Sequence, residues 1–409
     1  MFKSRWTFIP PTTPFYVPLH LWDKKQDHPT LTTTYPIWEM MTQSNLLSAT
    51  LPRDKIYGLL GICDPKDRAA IEIDYTGRMT DSMIFRDTIA HIIQSRDHIK
   101  PLQYAASGGK NVIDWPSWVP DLSQTNPNFW SCFAEMGYDA SYQSSGRWLR
   151  LNHPFLGAFV LDHPFIFSCL FLISSTIAHR VANILNDSRR AGATFSDDNN
   201  VLILRGIPFD TISYADPAPD TGIFLSSDTV YLDQERAVTL PGVEVSFKRW
   251  QSAVASFKPN PYRTPEGRYA AYWRTIIGNR RRGPSGFVTP PDSFRMGYEI
   301  WGGARSIPED QKDRWQALLT FGTFQGMVGR SLNQRSFAIT SLGYLGLVPK
   351  AAKNGDLICV FQGGEVPFVL RPIGNDQWEL VGECYVHGIM EGEVVKKAKP
   401  GDVRTYYLR

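Results

Sequence analysis

Gly355-Asp356-Leu357-Ile358-Cys359-Val360-Phe361-Gln362-Gly363-Gly364 is the stretch that decides the fold. Five apolar residues in a row, Leu357 to Phe361, have the length of a strand and no polar alternation, which predicts a strand buried on both faces. Gly363-Gly364 then supplies a turn that tolerates positive φ, and Phe368 to Leu370 reads as the returning strand. Gly374-Asn375-Asp376 makes the next turn, into Trp378 to Val386. Residues 337–390 are therefore expected to form an antiparallel β meander or small barrel, packed on a helical body. A helix across Leu357 to Phe361 would refute this.

Upstream the period changes from two to 3.6. The clearest helix is Thr80 to Arg96, where Thr80 and Asp81 offer N-cap oxygens. Ile84, Phe85, Thr88, Ile89, Ile92 and Ile93 recur on one face of it. Shorter helices are expected in Pro36–Leu47, after Pro52, and in Tyr269–Ile277. Pro308, Glu309 and Asp310 open another, carrying Trp315, Leu318, Leu319 and Phe321, with acids at the end the macrodipole favours. The fold class is α+β, with an N-terminal helical unit, a loop-rich middle and the C-terminal meander. Five parts are expected: an irregular arm plus short helix (1–50), a helical unit (51–146), an apolar insertion (147–192), a mixed loop-rich region with helices (193–336) and the β meander (337–409).

Composition bounds the function. The chain has 409 residues and a formal net charge of +3, too close to neutral for a dedicated nucleic-acid protein. At 43% hydrophobic and 20% charged, it has the apolar surface to fold rather than stay disordered. Five scattered cysteines, an odd number with no Cys-x-x-Cys, suit a reducing compartment, and the first residues lack a signal-peptide run. A cytoplasmic location is expected.

No constellation of side chains names a reaction. Gly108-Gly109-Lys110 lacks the spacing of a phosphate-binding loop, and Gly283-Pro284-Ser285-Gly286 lacks that of a nucleophile elbow. His153 and His163 repeat at ten residues, with no implied geometry that would converge them on a metal. Cys384 and His387 could form a nucleophilic dyad, although a buried cysteine is an ordinary small hydrophobe. Arg280-Arg281-Arg282 follows Tyr269, Tyr272 and Trp273, and near-neutral charge with nearby Gly and Pro reads it as a solvated loop. No cofactor, metal or catalytic residue is assigned.

Four stretches, in order, resemble a known family. They are Leu51-Pro52-Arg53-Asp54-Lys55-Ile56-Tyr57-Gly58-Leu59-Leu60-Gly61, Asp114-Trp115-Pro116-Ser117-Trp118-Val119-Pro120-Asp121, Ala271 to Arg280, and Gly343 to Met390. Each is similar to a segment of fungal heterokaryon incompatibility (HET) domain-containing proteins, in the region C-terminal to the HET core. The resemblance implies a part in non-self recognition, in which incompatible hyphae that fuse trigger programmed cell death. The family's core is thought to be distantly similar to the TIR signalling fold. It normally occupies well over a hundred residues before the Pro-Arg-Asp-Lys segment, where this sequence has 50, so the core is expected to be missing here.

The resulting expectation is a non-enzymatic signalling or recognition protein with an unidentified protein partner, no nucleic acid and no membrane span. Trp118, Asp121 and Tyr385 are its candidate partner contacts, each with core packing as the competing role. The alternative is a hydrolase or nucleotide-processing enzyme using Cys384 and His387, or an acid such as Asp54. Residues 147–190 fit neither the pattern nor the family. Their apolar run, Phe165 to Ile173, is short for a membrane anchor. A translated intron ranks ahead of a buried core helix for this segment.

Overall fold

The computed structural model describes residues 35–44, 48–105, 115–121, 133–141, 191–218, 243–283 and 286–409. The apolar stretch 147–190, the arm before Tyr35, and His153 and His163 lie outside the described residues. Three short helices, α1 (Ile37–Gln43), α2 (Asp54–Tyr57) and α3 (Pro65–Ala70), lead to α4 (Asp81–Arg96). Thr80 caps α4, its hydroxyl accepting the Met83 N–H at 3.3 Å, and Asp97 ends it in the left-handed conformation. The face that α4 buries carries all six residues read from its period.

Next come β1 (Thr194–Phe195), β2 (Leu202–Pro217), α5 (Val243–Ser256) and α6 (Pro265–Ile276), then a hairpin of β3 (Arg281–Gly283) and β4 (Gly286–Val288). Helices α7 (Arg295–Trp301) and α8 (Gln311–Leu332) follow. Asp310 caps α8 by accepting the Lys312 and Asp313 N–H groups. Leu318 and Phe321 are buried, but Trp315 is 52% and Leu319 61% exposed. The buried stripe runs Ala317, Phe321, Phe324 and Val328, and Trp315 and Leu319 sit on the opposite side of the 3.6-residue turn.

The remaining strands are β5 (Arg335–Thr340), β6 (Leu345–Pro349), β7 (Leu357–Phe361), β8 (Phe368–Gly374), β9 (Gln377–Glu383) and β10 (Tyr385–Val386), then α9 (Glu393–Lys397) and β11 (Arg404–Leu408). The meander is there: β7, β8 and β9 pair antiparallel, and Asn375 and Asp376, both at positive φ, form the two-residue turn that sets Gly374 opposite Gln377. Ile358 and Val360 face one apolar core and Cys359 and Phe361 the other, so β7 is buried on both faces.

The meander is completed by a strand from far upstream. The sixteen-residue β2 pairs with β11 over residues 202–206, with β7 over 206–211 and with β5 over 212–217. Since β11 pairs in parallel with β9, strands β2, β7, β8, β9 and β11 close into a ring. A strand serving three partners must bend. Its register shifts between Pro208 and Asp210, where a residue without an N–H suits a bulge, and again between Ile212 and Tyr214. Helix α5 docks on the outer part of β2 and β5. Trp250 stacks on Phe337 at 5.1 Å, and its indole N–H donates to Asp216 at 2.6 Å. Among the described residues no helix is long and apolar enough to cross a membrane.

Candidate functional site

The Pro52-Arg53-Asp54-Lys55 run is a clamp on the loop before α4. Arg53 donates from Nε to Asp81 Oδ1 (2.8 Å) and from Nη1 to the Asp74 carbonyl (2.7 Å). Tyr75 donates its hydroxyl to Asp54 Oδ1 at 2.6 Å, and the Tyr57 hydroxyl accepts the Asp74 N–H. The Thr76 hydroxyl and the Met79 N–H hold the Asp74 carboxyl down at about 2. Asp54, raised above as a possible catalytic acid, is thus engaged by Tyr75.

The second motif packs beside this clamp. Trp118 is 0% exposed, its ring 5.3 Å from Phe195 and its indole N–H donating to the Asn200 carbonyl. Ser117 donates to the Arg409 carbonyl and accepts the Leu380 N–H at 2.8 Å, tying the motif to both β11 and β9. Asp121 is half-buried and faces Lys55, whose pKa is lowered by burial with Asp121 acting against the shift.

The third and fourth motifs meet around residues 133–141. Arg335 donates from Nη2 to Glu383 Oε1 (2.5 Å) and from Nη1 to the Glu383 carbonyl (2.7 Å), and its guanidinium lies 4.2 Å from the centre of the Phe133 ring. Glu383 Oε1 also accepts the Phe133 N–H at 2.6 Å. Arg280 donates from Nε to the Met136 carbonyl and from Nη2 to Glu391 Oε1 at 2.5 Å, and covers the Tyr138 ring at 4.2 Å. Tyr138 donates its hydroxyl to the Gly278 carbonyl. Gly278 has φ +60°, and a Cβ there would stand 3.0 Å from that hydroxyl, so the Ile277-Gly278-Asn279-Arg280 motif needs its glycine. The solvated-loop reading of the arginine run fails for Arg280, which is buried against two carbonyls and a carboxylate. Its position directly after the Gly-Asn turn was the available signal. Arg335 and Glu383 had none, because 48 residues separate them.

Tyr385, 1% exposed, stands among these groups, 5.7 Å from Phe133 and 5.8 Å from Tyr138, with its hydroxyl 2.7 Å from His387 Nδ1. Burial pushes the Tyr385 and Tyr138 hydroxyls well above their usual range. Burial, reinforced by Arg274, takes His387 down to about 4, so its ring is neutral near pH 7. Tyr262 fixes the same turn, donating to the His387 carbonyl and accepting the Leu345 N–H.

The structure does not assemble the nucleophilic dyad. Cys384 points into the smaller core with Val386 and Ile358, while His387 packs on Tyr385 and Tyr262. Burial raises the Cys384 thiol far above its usual range, the reverse of what a nucleophile needs. Among the described residues no three His, Cys, Asp or Glu side chains could hold a metal ion. Trp118 and Tyr385 face the interior, and Asp121 alone of the three candidate contacts reaches solvent. What the motifs build is a frame: Arg53 and Tyr57 hold 51–61 to the loop before α4, Ser117 ties 115–121 to the sheet, and Arg280 and Arg335 hold 133–141 between 271–280 and the sheet.

Residues 312–408 match the Het-6 beta-barrel domain family. Heterokaryon incompatibility protein 6, OR allele, of Neurospora crassa is 25% identical over 402 residues, covering 88% of this chain. The chain is thus similar to heterokaryon incompatibility protein 6 over most of its length and to the Het-6 beta-barrel family over its last quarter. It spans about half (51%) of the length of the curated relative it matches. No solved structure matches the chain. The matched residues hold β5 to β11 and most of α8, yet the ring closes only through β2, which lies upstream of them. In this chain the sheet of the matched region is therefore completed by residues outside it.

Proposed function

We propose that this chain acts in fungal non-self recognition, in the death response that follows fusion of incompatible hyphae, and that it does so in the cytoplasm by binding a protein partner rather than by catalysis. The single observation that carries the reading is the 25% identity over 402 residues with a protein named for heterokaryon incompatibility. The geometry supports the binding half of it. The reactive groups sequence reasoning singled out, Cys384, His387 and Asp54, are apart and each is committed to packing or to a hydrogen bond. Of the candidate contacts, Asp121 is the one a partner can reach, with Trp118 and Tyr385 holding the frame behind it. The domain limits given above belong to the same proposal, with the 202–217 strand counted with the β unit.

The test is expression in a filamentous fungus, scoring death of fused compartments after contact with an unlike strain. Expression or deletion of the gene is expected to change the outcome of fusion, and Cys384→Ala is expected to behave as the unmodified chain. Fusion outcomes indifferent to both expression and deletion would sink the proposal. Loss of the response in Cys384→Ala, with the protein folded, would return the enzyme reading.

A further inference from the structure

We propose that the cleft between α1, the segment following α4 and Tyr138 binds a small zwitterion of the amino-acid class. This goes beyond the incompatibility reading, and neither depends on the other.

The cleft encloses about 620 Å³, within the usual range for small-molecule sites. Trp38 and Tyr104 line it, their rings in edge contact at 5.3 Å, together with Tyr138. This gives the apolar wall that a ligand body requires. Gln103 also lines it. It is only 4% exposed, yet Oε1 has no hydrogen-bond partner, and the half-buried His98 leaves its buried Nδ1 without one in the same wall. Unsatisfied buried polar atoms are rare because each forfeits its hydration, and two in one cleft wall call for a ligand that supplies the missing bonds. The terminal amide torsion of glutamine is soft, so a small turn brings Oε1 to face a donor in the cleft.

Charge decides what kind of donor. Arg96 and Lys100 line the cleft with Glu39 and Glu365, two cations against two anions. Both cations already face carboxylates: Arg96 lies 2.7 Å from Asp64, and Lys100 3.1 Å from Glu365. His98 adds no charge, since burial and the nearby Lys100 bring it down to about 4. No surplus of positive charge is left to hold a phosphate dianion, which disfavours a nucleotide. A ligand carrying one charge of each sign fits the balance. Its ammonium group has Gln103 Oε1 and the Glu39 carboxylate as acceptors, its carboxylate has the ammonium donors of Lys100 beyond the one facing Glu365, and its side chain has the Trp38 and Tyr104 rings.

The test is calorimetric titration of the whole chain with L-phenylalanine and L-leucine, against N-acetyl-L-phenylalanine, L-phenylalaninamide, adenosine monophosphate and inorganic phosphate. Binding of the free amino acids is expected, weakened about tenfold or more when either end is blocked, as for loss of one hydrogen bond to a charged group. Gln103→Met keeps the volume and removes the acceptor. It is expected to weaken binding to a similar degree while raising the melting temperature of the ligand-free protein. Should that variant misfold, Glu39→Gln on the exposed side of the cleft is expected to weaken binding of L-phenylalanine without changing the melting temperature. Titrations in which no free amino acid binds would overturn the proposal, as would tighter binding of the monophosphate or phosphate, or affinity unchanged in both variants.

Discussion

Arg335 in β5 and Glu383 in β9 approach to 2.5 Å with both side chains almost fully buried, and the same carboxylate oxygen takes the Phe133 N–H. One ion pair therefore joins two strands and the 133–141 segment. Breaking a buried pair by removing one partner costs about 3–5 kcal/mol, because the survivor keeps its charge without compensation. Glu383→Leu is expected to destabilise the protein by that amount in urea unfolding. The double variant Arg335→Met, Glu383→Leu is expected to recover much of the loss. A double variant no more stable than the single would show that the pair does more than neutralise itself.

A helix cap and the exposed apolar residues of a helix should respond differently to truncation. Thr80→Ala removes the cap of α4 and is expected to cost about 1 kcal/mol. Trp315→Ala and Leu319→Ala, on the exposed side of α8, are expected to stay within about 0.5 kcal/mol of the parent. Thermal denaturation of the three variants ranks them directly, and a large loss from Trp315→Ala would mean that this side of α8 is covered in solution.

That contrast also marks what the sequence made legible. Helix α4 was legible because its cap, Thr80, and its apolar period lie together in one short stretch and agree. The meander from Leu357 to Val386 was legible for the same reason, its turns being set by Gly363 and by Asn375-Asp376. Strand β2 opens on a short apolar run, Leu202 to Leu204. Its later residues are Pro208, Asp210, Thr211 and Ser213, whose pairing is decided by β5 and β7 more than a hundred residues away. Strand β11 likewise takes its place from β2 and β9, not from its own alternation. At the candidate site, the motif residues Arg53 and Arg280 were visible as types, but their carbonyl and carboxylate partners come from other parts of the chain. Gln103 and His98 were invisible, since an unpaired buried atom has no signature in sequence.

Acid should weaken the fold through two partly buried histidines. His387 and His98 both fall from 6.5 to about 4 on folding. Between those values the unfolded chain binds the protons that the folded one refuses, so stability is full above about pH 6.5 and is lost as pH falls toward 4. His387→Phe is expected to flatten that slope in urea midpoints measured from pH 7 to pH 4. An unchanged slope in a folded variant would show that His387 titrates normally.

Thiol chemistry gives an independent check on the core. Cys63, Cys359 and Cys384 are free and buried, and burial pushes Cys63 up to about 12 and the other two further. Iodoacetamide labelling at pH 8, read by peptide mass mapping, is expected to leave all three unmodified in the native protein and to label them in guanidinium. Native-state labelling of Cys384 would contradict its place in the core.

The ring depends on one glycine. Gly206 is where β2 has neighbours on both sides, Arg404 of β11 and Phe361 of β7. A Cβ there would lie 2.7 Å from Cys359 Sγ and 2.8 Å from Phe361 Cδ1, closer than such atoms ever pack. Both neighbours are held in a dense core, so neither can move aside cheaply, and overpacking of this kind costs about 1–3 kcal/mol. Gly206→Ala is expected to lose that much stability and to speed hydrogen exchange at the amides of β7 and β11 together, since both are anchored at the same residue. Cys359→Ala removes the nearer of the two obstructing atoms. Added to Gly206→Ala, it is expected to return part of the stability, a gain that additive effects would not produce. If Gly206→Ala instead leaves exchange in β7 and β11 at parent rates, ring closure at this residue is not what holds the two strands.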